Sequence, residues 1–275
     1  MPELPEVEAV RRVLQPVMEG ARFDEVLTHR PDLRTAFPSD FAARLEGRRV
    51  RSLQRRGKYL LADLSSGEIL VMHLGMSGSF RLDAKGDDAP HVYVSARDAS
   101  VRHDHVVFRM SSGFTVIFND PRRFGFMDLV SRDAMRDRTG LGSLGPEPLS
   151  EEFDAVALAA ACRGKKTSLK AALSDQRVVA GLGNIYVCEA LHRARLSPRR
   201  RASTIATRAG SPRDAAVRLT AAIKKVLRDA IARDDAPFRV YDREGERCPT
   251  RGCSGVIRRI TQSGRSTFFC PVCQK

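Results

Sequence analysis

The chain of 275 residues has no tryptophan, and aromatic residues make up only 6% of it. It also lacks any apolar run approaching the ~20 residues that a membrane-spanning helix requires. No apolar signal region opens the sequence. A membrane span and an export leader are excluded as readings, which leaves a soluble protein of the cytoplasm as the expectation. Acidic residues are in deficit: 33 Asp and Glu face 47 Lys and Arg, a formal net charge of +14. Such an excess points to a polyanionic partner. Nucleic acid ranks above a membrane surface, because no basic amphipathic helix or lipidation signal accompanies the charge. A merely solvated basic surface is the plain alternative.

Cysteine is scarce and uneven. Four of the six lie in the last 28 residues, in two close pairs, which suits a metal site in a reducing compartment better than a disulfide framework. Cys248, Cys253, Cys270 and Cys273 are spaced C-x4-C and C-x2-C, so two hairpin turns can meet at one tetrahedral Zn2+ in the closed, structural form. So short a segment cannot bury a core adequate to its chain entropy, and the metal must supply most of its folding energy. "RRITQSGRSTFF" between the pairs reads as two strands with Ser263, Gly264 and Arg265 at the turn, a finger suited to a nucleic-acid backbone. Cys162 and Cys188 stand in apolar helical context and read as buried bystanders.

The length and 42% hydrophobic content allow two domains with real cores. Between residues 50 and 130 the short apolar runs "KYLLADL", "EILVMHL", "HVVFRM" and "FTVIFND", parted by turn clusters, read as strands. They predict an antiparallel two-layer β-sandwich with the N-terminal helix packed on it. Residues 83–100 read as a surface loop, and "LGSLGPEPLS" as an interdomain connection. Helical stretches then run from Phe153 to Ala161, Leu169 to Leu173, Asn184 to Ala194 and Arg213 to Ala232. The expected organisation is α+β and multidomain: a β-sandwich with flanking helices (1–130), a linker (131–150), a helical domain (151–235) and a zinc finger (236–275). The finger segment alone holds eight Lys and Arg against three Asp and Glu.

The opening "MPELPEVEAV" has a helix leader as its plain reading. Pro5 suits a first helical turn, Glu6 and Glu8 complement the dipole, and Val7, Val10, Leu14 and Val17 share a face. Pro16 is expected to bend or end that helix and Gly20 to stop it. Pro2 would become the amino terminus once Met1 is removed, with Glu3 covalently adjacent.

Six stretches in order, "PELPEVE", "HLGMSG", "DPRRFG", "LGPEPL", "GLGNIYVCEAL" and the C-terminal finger, resemble the formamidopyrimidine-DNA glycosylases, bacterial base-excision enzymes for oxidised purines. The resemblance spans residues 2–275. It implies that the Pro2 nitrogen attacks C1′ of the damaged nucleoside to form a Schiff base. Glu3 would be the general acid, with Glu6 a supporting carboxylate. Lys58, by its residue type alone a strand lysine, is similar to the lysine that assists β-elimination, and Arg265 to the arginine of δ-elimination. Met76, Arg122 and Phe124 would form the wedge that fills the space of an extruded base, although Met76 and Phe124 taken alone read as core. His103, Lys165 and Asn184 would grip phosphates, and 168–196 resembles the family's helix–two-turn–helix element. The implied partner is damaged double-stranded DNA, bound by a monomer.

Two departures stand out. The first finger pair is C-x4-C where the family commonly has C-x2-C. Between the helix ending near Ala232 and "VYDREGERC" only "RDDAPFR" remains, where the family usually carries a longer glycine-rich loop that caps 8-oxoguanine. The short connection near 233–239 predicts that formamidopyrimidines rank at least equal to 8-oxoguanine. The rival readings are an endonuclease VIII-like enzyme for oxidised pyrimidines, a non-catalytic binder of damaged DNA and a zinc-ribbon RNA-binding protein.

Overall fold

The computed structural model describes residues 2–84, 92–94, 100–135, 140–232 and 237–275. The chain divides into two compact units, Met1–Gly142 and Ser143–Lys275.

The first unit begins with helix α1 (Leu4–Met18), capped by Glu3, with Leu4, Val7, Val10, Leu14, Val17 and Met18 on its buried face. It runs through Pro16 rather than ending there. Proline withholds the N–H that would pair with the Arg12 carbonyl and crowds the preceding turn, yet the helix continues two residues past it to Met18. Two antiparallel sheets follow. One has the order β1 (Phe23–Thr28), β7 (Asp104–Met110), β8 (Phe114–Asn119), β5 (Ser79–Ala84), β6 (Val92–Val94). The other has β2 (Val50–Arg56), β3 (Tyr59–Leu64), β4 (Glu68–His73), β9 (Phe126–Ser131). A short helix α2 (Phe41–Leu45) lies between β1 and β2 in sequence. Both sheets and α1 contribute to one core that includes Leu14, Phe23, Leu53, Leu60, Phe80, Phe108 and Leu129. Full burial of each such side chain is worth about 2 kcal/mol. The loop expected over 83–100 is narrower than that: Asp83 and Ala84 complete β5, and β6 pairs with it at Leu82, Arg81 and Phe80. Residues 85–91 and 95–99 of that stretch lie outside the described residues, as do 233–236 in the short connection.

The second unit contains α3 (Ala155–Cys162), α4 (Leu169–Ser174), α5 (Asn184–Arg193) and α6 (Asp214–Ala232), then a hairpin of β10 (Arg258–Gln262) and β11 (Arg265–Phe269). Side chains set the helix starts: Asp154 accepts the Ala157 N–H at 2.7 Å and Ser168 the Ala171 N–H at 3.2 Å. Cys162 and Cys188 are buried. Burial pushes the Cys162 thiol up to about 11, against the opposing charge of Lys165. Cys188 on α5 joins Val240, Ile257, Phe268, Cys248 and Cys270 in the small core beneath the finger. Among the described residues, no helix is long and apolar enough to cross a membrane.

Candidate active site and nucleic-acid interface

The start of α1 is held by a reciprocal cap, in which the Glu3 N–H donates to Glu6 Oε2 at 2.7 Å. That bond fixes the plane of the peptide joining Pro2 to Glu3. Glu3 is 1% exposed and Pro2 half-buried. Lys58 sits in the two-residue turn between β2 and β3, since Arg56 pairs with Tyr59, and not within a strand. It too is buried. Arg55 joins the two features: its Nε donates to Glu8 of α1 at 3.2 Å and its Nη1 to the Gly57 carbonyl at 2.9 Å. Burial disfavours the charge of Glu8, but Arg11, Arg12 and Arg55 outweigh it and hold the carboxyl below its usual range.

His73 ends β4 close to this turn. Its ring stacks on Phe126, centroids 5.6 Å apart, and packs on Tyr59 at 4.9 Å. Burial first, then the charges of Lys58 and Arg34, push its pKa down to about 4. The neutral ring accepts the Gly75 N–H on Nδ1 at 3.0 Å.

Met76 and Phe124 are 42% and 40% exposed, so neither belongs to the core. The loops that carry them touch backbone to backbone. Gly75 has φ +63°, and a Cβ there would lie 2.3 Å from the Phe124 carbonyl carbon; only glycine allows that approach. The Arg122 guanidinium lies over the Phe124 ring, 4.7 Å from its centroid. The structure thus groups Met76, Arg122 and Phe124 as one exposed cluster. His103, in a single helical turn before β7, accepts the Arg102 Nε–H on Nε2 at 3.0 Å.

In the second unit, Lys165 lies between α3 and α4, and its carbonyl accepts the Ser203 N–H at 3.2 Å. Asn184 opens α5. Gln176 braces the turn before it, accepting the Gly181 N–H at 2.9 Å and donating to the Leu182 carbonyl at 2.7 Å. Asn184 Nδ2 donates to the Ser266 carbonyl at 2.8 Å, which ties the helix start to the residue after Arg265. The finger hairpin has Ser263 at φ 50° and Gly264 at φ 71°, with Gln262 paired to Arg265. Two consecutive left-handed residues make the tight turn that matches strand twist. Arg265 projects from that tip into solvent.

The four finger cysteines fit a zinc ion. Their sulfurs all lie within 4.8 Å of one another, with Cys248 Sγ 3.7 Å from Cys273 Sγ and Cys253 Sγ 3.6 Å from Cys270 Sγ. Four thiolates at ~2.3 Å from a tetrahedral zinc are about 3.8 Å apart. The C-x4-C spacing therefore alters the turn without disturbing the ligand set.

Arg55, His73, Gln176 and Glu189 organise these features, and residue-level reading of the sequence did not single them out. Glu189 on α5 accepts the N–H groups of Arg239, Val240 and Tyr241, each at 2.9 Å, so it clamps the chain just beyond the short connection. His73 and Glu189 lie inside the quoted motifs. Nothing local marks Arg55 or Glu189, because their partners are 47 and about 50 residues away.

Comparison with known proteins agrees with this arrangement. Residues 1–127 match the formamidopyrimidine-DNA glycosylase N-terminal domain, 144–242 the formamidopyrimidine-DNA glycosylase H2TH domain, and 245–275 the zinc finger found in FPG and IleRS. A formamidopyrimidine-DNA glycosylase of Bradyrhizobium diazoefficiens is 59% identical, with all of both chains covered. Among solved structures, the Lactococcus lactis enzyme complexed with DNA containing an oxidized pyrimidine has a TM-score of 0.84 at 31% identity, over all of both chains. The Thermus thermophilus protein has a TM-score of 0.80 at 38% identity, covering 99% of this chain and 98% of that one. The chain belongs to the formamidopyrimidine-DNA glycosylase family.

Proposed function

We propose that this protein is a bifunctional DNA glycosylase and abasic-site lyase of base excision repair, acting as a monomer in the bacterial cytoplasm. Residues 1–130 would carry the chemistry, and 151–235 with 236–275 would grip the duplex. The observation that supports the mechanism is the capped helix start, which buries Glu3, the residue covalently next to Pro2. Once Met1 is removed, that nitrogen is a secondary α-amine. With a pKa near 8, roughly a quarter of it is neutral at pH 7.5, against about one in a thousand for an ordinary lysine.

The amine lone pair attacks C1′, Glu3 supplies a proton to the departing base or sugar oxygen, and the C1′–N bond breaks. The amine sheds its own proton, the C1′–O4′ bond then breaks with protonation of O4′, and a cationic iminium is left between C1′ and the secondary amine; it acidifies C2′–H, and removal of that proton expels the 3′ phosphate. Lys58, held in the turn that Arg55 braces, assists this β-elimination. Arg265 at the finger tip serves δ-elimination on the other side. His103, Lys165 and Asn184 bind phosphates, while Met76, Arg122 and Phe124 fill the vacated base space. The cysteine set holds zinc as a structural element only.

Lesion choice follows from the short connection. Each good hydrogen-bonded contact to a base edge is worth about 1–3 kcal/mol of discrimination, and a site with fewer contacts discriminates less. Single-turnover rates on matched duplexes will show 8-oxoguanine opposite cytosine cut no faster than formamidopyrimidines; a large preference for 8-oxoguanine overturns this. Borohydride trapping across a panel of lesion duplexes tests the whole reading. A trapped adduct separates the enzyme from a non-catalytic binder, and the lesion ranking separates it from an oxidised-pyrimidine enzyme.

The wedge has its own signature. Phe124→Ala and Met76→Ala will lower excision from a duplex by about tenfold or more, since extrusion costs a few kcal/mol. Cleavage of a preformed abasic site, which has no base to extrude, will fall much less.

A further inference from the structure

Asp120 follows β8 directly and is 0% exposed. A buried carboxylate is costly unless donors surround it, and here they come from both loops of the exposed cluster. Ser77 Oγ–H donates to Oδ1, the Arg122 N–H approaches the same oxygen at 3.3 Å, and the Gly125 N–H donates to Oδ2 at 2.8 Å. The backbone of Asp120 is equally committed. Its N–H donates to the His103 carbonyl at 3.0 Å, and its own carbonyl accepts the Arg123 N–H at 3.2 Å and His105 Nε2–H at 2.9 Å.

These contacts bracket the cluster. Met76 adjoins Ser77, while Arg122 and Phe124 lie within the span between the two amides that the carboxylate accepts. His103 is held through its carbonyl. Arg123, between Arg122 and Phe124, has φ +54°, a conformation that a non-glycine residue keeps only when its surroundings impose it. The Asp120 carbonyl and an Arg123–Asp32 ion pair at 3.5 Å supply that constraint.

We propose that Asp120 is a positioning residue for base extrusion: its buried carboxylate locks the Met76 and Phe124 loops into one rigid projection before DNA arrives. The proposal deepens the wedge reading and rests on it. An apolar side chain at the tip of a free loop would have to be ordered during binding; a loop fixed beforehand escapes that cost.

Asp120→Asn keeps the side-chain shape but turns an amide N–H2 toward a donor. Ser77→Ala removes one donor from a half-buried position. In single-turnover assays, excision of 8-oxoguanine from a duplex will fall about tenfold or more in Asp120→Asn, the scale of a lost hydrogen bond to a charged group, and severalfold in Ser77→Ala. Cleavage of a preformed abasic site will change by less than about threefold in both. Fluorescence of 2-aminopurine beside the lesion will report slowed extrusion. Adding Asp120→Asn to Phe124→Ala will cause little further loss.

If Phe124→Ala itself leaves duplex excision unchanged, the wedge reading fails. If Phe124→Ala lowers it while Asp120→Asn and Ser77→Ala do not, the positioning role alone fails. Equal loss on abasic DNA, or full additivity with Phe124→Ala, also overturns that role. Should Asp120→Asn not fold, Ser77→Ala alone and combined with Phe124→Ala decides by the same criteria.

Discussion

Replacement of Pro2 by glutamine will abolish the borohydride-trapped adduct while leaving a folded protein that still binds lesion DNA. Glutamine is too large for removal of the preceding methionine, so the variant keeps Met1 and has no secondary amine at this position. The neighbouring Glu3→Gln substitution separates chemistry from structure more finely. Glu3 caps α1, and glutamine keeps an oxygen able to accept a helix N–H, so the melting temperature will hardly change. The proton is lost, however, and base excision will fall by ~10²–10⁴-fold, the usual contribution of a positioned general acid. Mass spectrometry adds an independent check, because active enzyme must lack Met1. An active preparation in which Met1 is fully retained would remove Pro2 from the mechanism.

The quoted apolar runs correspond to β3, β4, β7 and β8, while β1, β2, β5, β6 and β9 lie outside them; two of these share a reason. β1 and β2 each carry a register shift near their start, between Phe23 and Glu25 and between Val50 and Ser52. Their buried residues are therefore spaced by three, Phe23 with Val26 and Val50 with Leu53, which breaks the period of two that marks a strand. β2 also contains three arginines, and one of them, Arg55, is largely buried against Glu8. A charge in a sequence reads as a solvated surface until its distant partner is known.

The candidate site was legible in a different way. Residue types and spacing alone identified the cysteine set, because four sulfurs in two close pairs have few other uses. Lys58, Met76 and Phe124 carry no such local signal, and only the ordered motifs picked them out. The supports were hidden altogether. Asp120 ends a run that reads as a strand, and one of its hydrogen-bond donors, Ser77, lies 43 residues earlier. Glu189 reads as one more helical carboxylate until the chain beyond the connection folds back onto it.

Zinc removal will have the broadest effect of any perturbation, because the finger has almost no core without it. Beneath the hairpin, the described residues supply Val240, Ile257 and Phe268 with the cysteines and the partly buried Tyr241, packed against Cys188 of α5. Structural zinc sites of this kind contribute about 10–16 kcal/mol, more than so small an apolar cluster can replace. Cys270→Ser removes a fully buried ligand, so the metal will be released and the hairpin will unfold. The consequences reach beyond the finger, since the hairpin is tied to α5 by Asn184 Nδ2 at 2.8 Å from the Ser266 carbonyl and by His192 Nε2 at 3.4 Å from Cys248 Sγ. Losing the finger therefore frees the start of α5 as well as Arg258, Arg259 and Arg265. With several phosphate contacts gone at once, affinity for duplex DNA will fall by about a hundredfold at physiological salt, and the salt dependence of binding will flatten. The sheet domain keeps its own core and will melt as in the wild type, giving a protein with normal near-native β signal, no zinc by elemental analysis and weak DNA binding. A wild-type protein that folds its finger without bound zinc, or a Cys270→Ser variant that retains full DNA affinity, would refute this account.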